Sequence, residues 1–114
     1  MSCHPGVVLN AEQVVDLALF MEKREPDIIK IVSKAETEDD LAESIRAMLL
    51  LMKEVRTKVS YHANGRAGSL SRILNPLLGG QIAFCVDRYT AASTMEQLDL
   101  RTVRSVVDGV RKLI

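Results

Sequence analysis

The sequence predicts an α/β domain of four consecutive βα units with parallel strands, half of an aldolase-type TIM (βα)8 barrel. Two observations carry this prediction. Strand-like and helix-like periods alternate strictly along the 114 residues, and each strand-like run is followed by a segment long enough for the crossover that parallel strands require. A full barrel takes about 250 residues, so the chain, read as a single domain over 1–114, holds about half of one. A doubly wound open sheet is the other architecture that covers both faces of parallel strands.

The first residues, up to Cys3-His4, read as the end of a strand whose beginning lies outside the chain. Asn10 is placed to cap a helix reaching about Arg24, with Val14, Val15, Leu17, Ala18 and Met21 at helical spacing and Pro26 beyond its end. The short β-branched run over 27–32 reads as a buried strand. Thr37 and Asp40 form a variant of the capping box, and Leu41, Ile45, Leu49, Met52 and Val55 continue as one face of a helix to about Arg56. A strand follows over 58–62. The glycine-rich stretch Asn64-Gly65-Arg66-Ala67-Gly68 then loops into a short helix over 69–78, which Pro76 kinks or ends. Gly79-Gly80 breaks the chain before a strand over 81–86. Asp99 is placed to cap a last amphipathic helix through Val103, Val106, Val107, Val110 and Leu113.

Composition excludes several classes of partner. Hydrophobic residues make up 47% and charged residues 26%, the balance of a globular protein. Fifteen basic residues face fifteen acidic ones, and no segment gathers Lys and Arg into the stripe that nucleic acid or an anionic membrane surface attracts. The longest apolar run, over 47–52, is too short to span a bilayer, and the N-terminus lacks the design of a signal peptide. A cytoplasmic protein is expected, with Cys3 and Cys85 as reduced thiols.

In either parallel architecture, working residues stand at the C-terminal ends of strands and in the loops that follow. His4, Lys30, His62 and the Cys85-Val86-Asp87 step satisfy that condition. Lys30 is the anomaly, an ammonium in the middle of Ile28-Ile29-Lys30-Ile31-Val32. Strand alternation puts it on the face opposite Ile29 and Ile31, so it points into the barrel if those isoleucines pack under the helices. Burial disfavours a charged amine, and a neutral amine attacks carbonyls to form a Schiff base. A lysine that snorkels to solvent is the structural alternative. His4 suits proton transfer near neutrality; a satisfied surface or core histidine is its alternative. Ser71-Arg72 opens a short helix after a glycine-rich loop, where backbone amides, helix dipole and guanidinium can together hold an anion; a solvated arginine is the competing reading. Cys3, His4, His62 and Cys85 lack the spacing of a metal-ligand motif.

The segments Ser2-Cys3-His4, Asp27-Ile28-Ile29-Lys30-Ile31 and Gly68-Ser69-Leu70-Ser71-Arg72-Ile73-Leu74 resemble, in order and spacing, the successive signatures of type I 3-dehydroquinate dehydratase. The resemblance continues to Ala92-Ser93 and Gln97, covering essentially the whole chain but only the second half of the family's barrel. It implies that Lys30 forms an imine with the substrate ketone, that His4 shuttles protons, that Arg72 holds the substrate carboxylate, and that Ser93 and Gln97 belong to a lid loop. It further implies a hydro-lyase of the shikimate and quinate pathway, acting on a small hydroxy-keto acid without metal or organic cofactor. The chain departs from the family pattern at several places. His62 and Asn64 stand where methionines are usual, the lid reads Thr94-Met95-Glu96-Gln97, the loop over 84–93 is longer, and the first four βα units are not present. The alternative reading is therefore a catalytically silent relative that senses a ligand or binds a protein. A third is an unrelated α/β binding domain with a structural Lys30. Four strands cut from a closed barrel leave unpaired edges and uncover Ile28, Val32, Phe84 and Val86, so a homodimer, or association with the missing N-terminal half, is expected.

Overall fold

The computed structural model describes residues 1–79, 85–86 and 98–113. Its first part is three βα units: β1 (Ser2–Cys3), α1 (Ala11–Glu22), β2 (Ile28–Lys34), α2 (Glu38–Glu54), β3 (Lys58–Asn64) and α3 (Ser71–Leu77). β1, β2 and β3 form one parallel sheet in sequence order. β4 (Cys85–Val86) and β5 (Leu98–Asp99) make a separate parallel pair, and α4 (Leu100–Arg111) follows and packs on α3. Among the described residues the main sheet thus has three strands rather than the four expected; 81–84 lie outside them.

Both long helices begin where their capping residues place them. Asn10 Oδ1 accepts from Gln13 N at 2.8 Å and Gln13 Oε1 accepts from Asn10 N at 2.9 Å. Thr37 and Asp40 repeat that reciprocal arrangement at α2, leaving few amide donors unsatisfied at either start. α1 stops at Glu22, slightly short of Arg24, and Glu25 turns the chain with a φ of 54°. The strands run longer than their apolar runs. β2 reaches Lys34 and β3 reaches Asn64 because Ser33 and Lys34 pair in register with Ala63 and Asn64, and ladder partners override the local polarity of these residues. Asp99 ends β5 and immediately precedes Leu100, the first residue of α4, which is the position of a helix cap.

The core lies between the outer face of the sheet and α1 and α2. Ile29, Ile31, Val59 and Tyr61 from the strands meet Val14, Ala18 and Met21 of α1 and Ala47, Met48 and Leu51 of α2. Tyr61 keeps its hydroxyl satisfied through a 2.9 Å hydrogen bond with Ser33 Oγ, which removes most of the penalty for burying it. The buried face of α2 is rotated from the one expected: of Leu41, Ile45, Leu49, Met52 and Val55, only Val55 is buried, and Leu41 and Ile45 are half-buried. Ser44, Ala47, Met48, Leu51 and Val55 face inward, while Leu49 and Met52 are about half exposed, at 53% and 47%. Small residues let one backbone come close to another, so the Ser44–Ala47 edge seats α2 and turns the larger side chains outward. Met52 lies against the turn after α3, since a Cβ at Gly79 would come within 2.7 Å of its Cε. Below the sheet, Glu22 accepts from both the backbone N and the hydroxyl of Thr57 at 2.8 Å, tying α1 to the start of β3. No helix among the described residues is long and apolar enough to cross a membrane.

Candidate active site

The register of the sheet brings the candidate residues to one face. Ser2 pairs with Lys30 and Lys30 with Ser60, while Val32 pairs with His62. Alternation therefore turns Ile29, Ile31, Val59 and Tyr61 under the helices and sets Lys30, Val32, Ser60 and His62 on the opposite side. Lys30 is half-buried there. Val32, expected to be uncovered, is buried at 5% exposure, and Ile28 is half-buried.

His4 reaches this face by a different route. After the pair Cys3–Ile31 the first strand leaves the ladder, and it rejoins only at the bridge between Val8 and Lys34. From residue 3 to residue 8 is five steps, against three from 31 to 34, so two extra residues bulge out. Gly6 lets the bulge close with a φ of 71°, and Lys34 N then donates to Val7 O at 3.0 Å. A non-glycine residue at that φ would cost about 1–2 kcal/mol. His4 stands exposed at the start of the bulge, a device that re-aims a side chain at the end of a strand.

His62, 8% exposed, is the electrostatic reporter of the group. Its pKa is pushed down to about 4, first by burial, then by the nearby charges of Arg72, Lys30 and His4, against a small upward pull from a hydrogen bond with Asn64. It is therefore neutral at physiological pH, among groups that are basic. A cluster of basic groups on one face favours an anionic ligand.

Arg72 is 9% exposed and held to the same rim, its Nη2 donating to Asn64 Oδ1. Its position follows from the preceding turn. Ser71 Oγ donates to Gly68 O at 2.6 Å and accepts from Ala63 N at 2.9 Å, pinning the start of α3 to the end of β3. Gly68 is required there, because a Cβ would fall 2.3 Å from Ala63 O. The expected help from backbone amides does not materialise: the N–H groups of Ser71, Arg72 and Ile73 are spent on the carbonyls of Gly68, Ser69 and Leu70. The helix begins at Ser71 rather than Ser69, since 68–70 form tight i to i+3 turns. The rim is continuous with the loop after β2, for Ala35 N donates to Asn64 O at 2.7 Å and Ala67 N to Ala35 O at 2.9 Å.

The structure thus brings Lys30, His4 and Arg72 around His62, with Lys30 in the middle of β2 and Arg72 at the start of α3. Ser93 and Gln97 lie outside the described residues, as does Asp87, and Cys85 is in β4. Cys3 carries a free, half-buried thiol. An open hollow lined by Asp27, Ile28, Arg56, Thr57 and Lys58 is at the other, N-terminal end of β2 and β3, away from these groups. Two features escaped the sequence: Asn64 as the partner of Arg72, and Ser71 as the pin. Aligning β3 in register with β2 is the signal that places His62 on the same face as Lys30, two positions further along.

The profile of the type I 3-dehydroquinase family matches residues 1–113. The 3-dehydroquinate dehydratase of Aromatoleum aromaticum is 29% identical over 97 residues, which are 84% of this chain and 37% of that protein. Among solved structures, the type I 3-dehydroquinate dehydratase of Clostridium difficile, bearing covalently modified comenic acid, superposes with a TM-score of 0.86 at 20% identity. The match covers 99% of this chain and 44% of that one. The 3-dehydroquinate dehydratase of Geobacillus kaustophilus gives 0.85 at 20% identity, over 97% and 43% of the two chains. The chain thus spans less than half the length of these relatives, and with the profile match running through the segments that carry His4, Lys30 and Arg72, it belongs to the type I 3-dehydroquinase family.

Proposed function

We propose that the chain carries the imine-forming half of a cytoplasmic 3-dehydroquinate dehydratase site, on a single domain built as half of a TIM-type barrel. The observation that supports this reading is the convergence of Lys30, His4 and Arg72 on one sheet face around a neutral His62. In this reading Arg72 holds the substrate carboxylate, and the amine of Lys30 adds to the ketone and loses water to form an iminium. The iminium is an electron sink. His4 removes a proton from the adjacent carbon, the electron pair moves toward nitrogen, and the same imidazolium returns the proton to the departing hydroxyl, which leaves as water. Hydrolysis of the imine then frees 3-dehydroshikimate and restores Lys30. Ser93 and Gln97 would close over the substrate.

Incubation with 3-dehydroquinate and borohydride, followed by peptide mass spectrometry, tests the assignment. A reduced adduct on Lys30 is expected. Labelling of other lysines with Lys30 unmodified would refute it, and saturable binding without any adduct would identify a silent ligand-binding relative.

The same reading carries an assembly. Two copies related by a twofold axis would close two half-barrels into one, the commonest symmetry of soluble oligomers. Phe20 on α1, 59% exposed, and Leu49 on α2, 53% exposed, are apolar side chains that such an assembly can cover. Light scattering is expected to give the mass of two chains at micromolar concentration; a compact single-chain species that unfolds cooperatively would rule the dimer out.

A further inference from the structure

β2 carries a second lysine on the face of Lys30. Lys34 is the last residue of the strand, and pleating returns its side chain to the side that holds Lys30, Val32, Ser60 and His62. At about 3.3 Å per residue, the two lysine Cα atoms are roughly 13 Å apart along the strand. Lys34 is thus at the C-terminal end, where parallel sheets receive their ligands. Its register partner is Asn64, so the two side chains leave neighbouring strands about 5 Å apart, and that of Asn64 reaches across to Arg72.

Lys34 is exposed and, among the described residues, forms an ion pair with no carboxylate. The acids that follow it are placed elsewhere. The Glu36 carboxylate lies over Gly65, where an added Cβ would meet its Oε1 at 2.8 Å. Glu38, Asp39 and Asp40 make up the first turn of α2, where the helix dipole favours them, and Asp40 Oδ2 accepts from Glu36 N and Thr37 N. Arg66 is also exposed, in the turn that Ala67 N fastens to Ala35 O. The segments over 30–37 and 60–77 hold Lys30, Lys34, Arg66 and Arg72 against a single carboxylate, that of Glu36, so the rim attracts anions. A lysine is a flexible point charge, and an exposed one contributes preference among ligands more than affinity.

We infer that Lys34 is a ligand-binding residue at the mouth of the site, holding a second carboxylate at the far end of a ligand whose ketone lies at Lys30, so that the chain prefers keto diacids to keto monoacids of the same length. The inference rests, for the position of the ketone, on the reading of Lys30 as the imine-forming residue. 3-Dehydroquinate has a single carboxylate, so a keto diacid is a second class of ligand that competes for the same face.

The test uses the full chain and two probes of equal length, 2-oxohexanoate and 2-oxoadipate, which differ in whether the end away from the ketone is methyl or carboxylate. Titration followed by NMR of the lysine ε-CH2 groups is expected to show 2-oxoadipate binding about twofold to fivefold more tightly at low ionic strength, the worth of an exposed ion pair. The Lys34 signal is expected to move for the diacid alone, and added salt to shrink the preference. In Lys34→Met the preference disappears while 2-oxohexanoate binds as in the parent, and Lys34→Arg restores it. Both variants keep the backbone bond from residue 34 to Val7 O, so the strand end is preserved. Equal binding of the two acids by the parent, an unchanged preference in Lys34→Met, or a Lys34 signal that the diacid does not move overturns the proposal. Borohydride trapping of the same mixtures separates it from the reading it rests on. With no adduct on Lys30 from either acid the imine reading falls, while the preference seen by NMR and its loss in Lys34→Met still decide the role of Lys34.

Discussion

Exchanging His62 for Met is expected to flatten the acid limb of the stability curve, removing a loss of about 3 kcal/mol that the parent chain suffers between pH 6.5 and about 4. Above pH 6.5 the imidazole is neutral both folded and unfolded, so it adds no pH dependence. As the pH falls below that value, the unfolded chain takes up a proton that the folded one refuses until about 4, so stability is lost across the window. Glu12, Glu22 and Asp40, whose hydrogen bonds hold their carboxyls below the usual range, lose stability in the same direction as they protonate. They are present in parent and variant alike and cancel in the difference. Urea midpoints measured from pH 7.5 down to 4 decide the matter. The variant starts lower by about 1 kcal/mol for the lost bond to Asn64 and should become the more stable of the two as the parent declines more steeply. Parallel curves would mean that His62 is not buried among the basic groups.

A Gly68→Ala chain is expected to lose about 3 kcal/mol, the upper part of the overpacking range, and roughly 10 °C in Tm. The added methyl would fall 2.3 Å from Ala63 O, 2.7 Å from Ala63 C and 2.7 Å from Asn64 O. All three are backbone atoms of a paired strand, so no side chain can swing aside to relieve the contact. The turn over 65–70 must move instead, and Ser71 gives up its bonds to Gly68 and Ala63. Thermal unfolding followed by circular dichroism measures the loss, and an unchanged Tm would show that the turn has more room than its contacts indicate.

The parts of the fold that were legible in the sequence are those in which neighbours along the chain decide. Asn10 and Thr37 begin helices because the capping partners are three residues away, and Lys30 alternates with Ile29 and Ile31 because pleating is local. Contacts between distant segments were less legible. The face of α2 was misjudged because Ser44 and Ala47, which contribute little hydrophobicity, are the residues that allow close approach to its neighbours. The extension of β2 to Lys34 depends on β3, and Cys85–Val86 pairs with Leu98–Asp99, partners thirteen residues apart in the chain. At the site, His4, Lys30 and Arg72 were readable as chemical types. Asn64 was noticed only as a departure from a pattern, because its bond to Arg72 comes from the tight turn that Gly68 and Ser71 build.

The two-residue bulge after Cys3 divides the labour of the site mechanically. Lys30 is fastened on both sides, its backbone laddered to β1 and to β3, so the nitrogen that would carry the substrate is mounted on the stiffest part of the sheet. His4 hangs from an arch anchored by the pair Cys3–Ile31 and again by Val7 O and the bridge at Val8. On the proposed mechanism one imidazole collects a proton at carbon and delivers it at oxygen, two places on the same ring. An arch can supply that reach by flexing, while the fixed lysine keeps the substrate still beneath it.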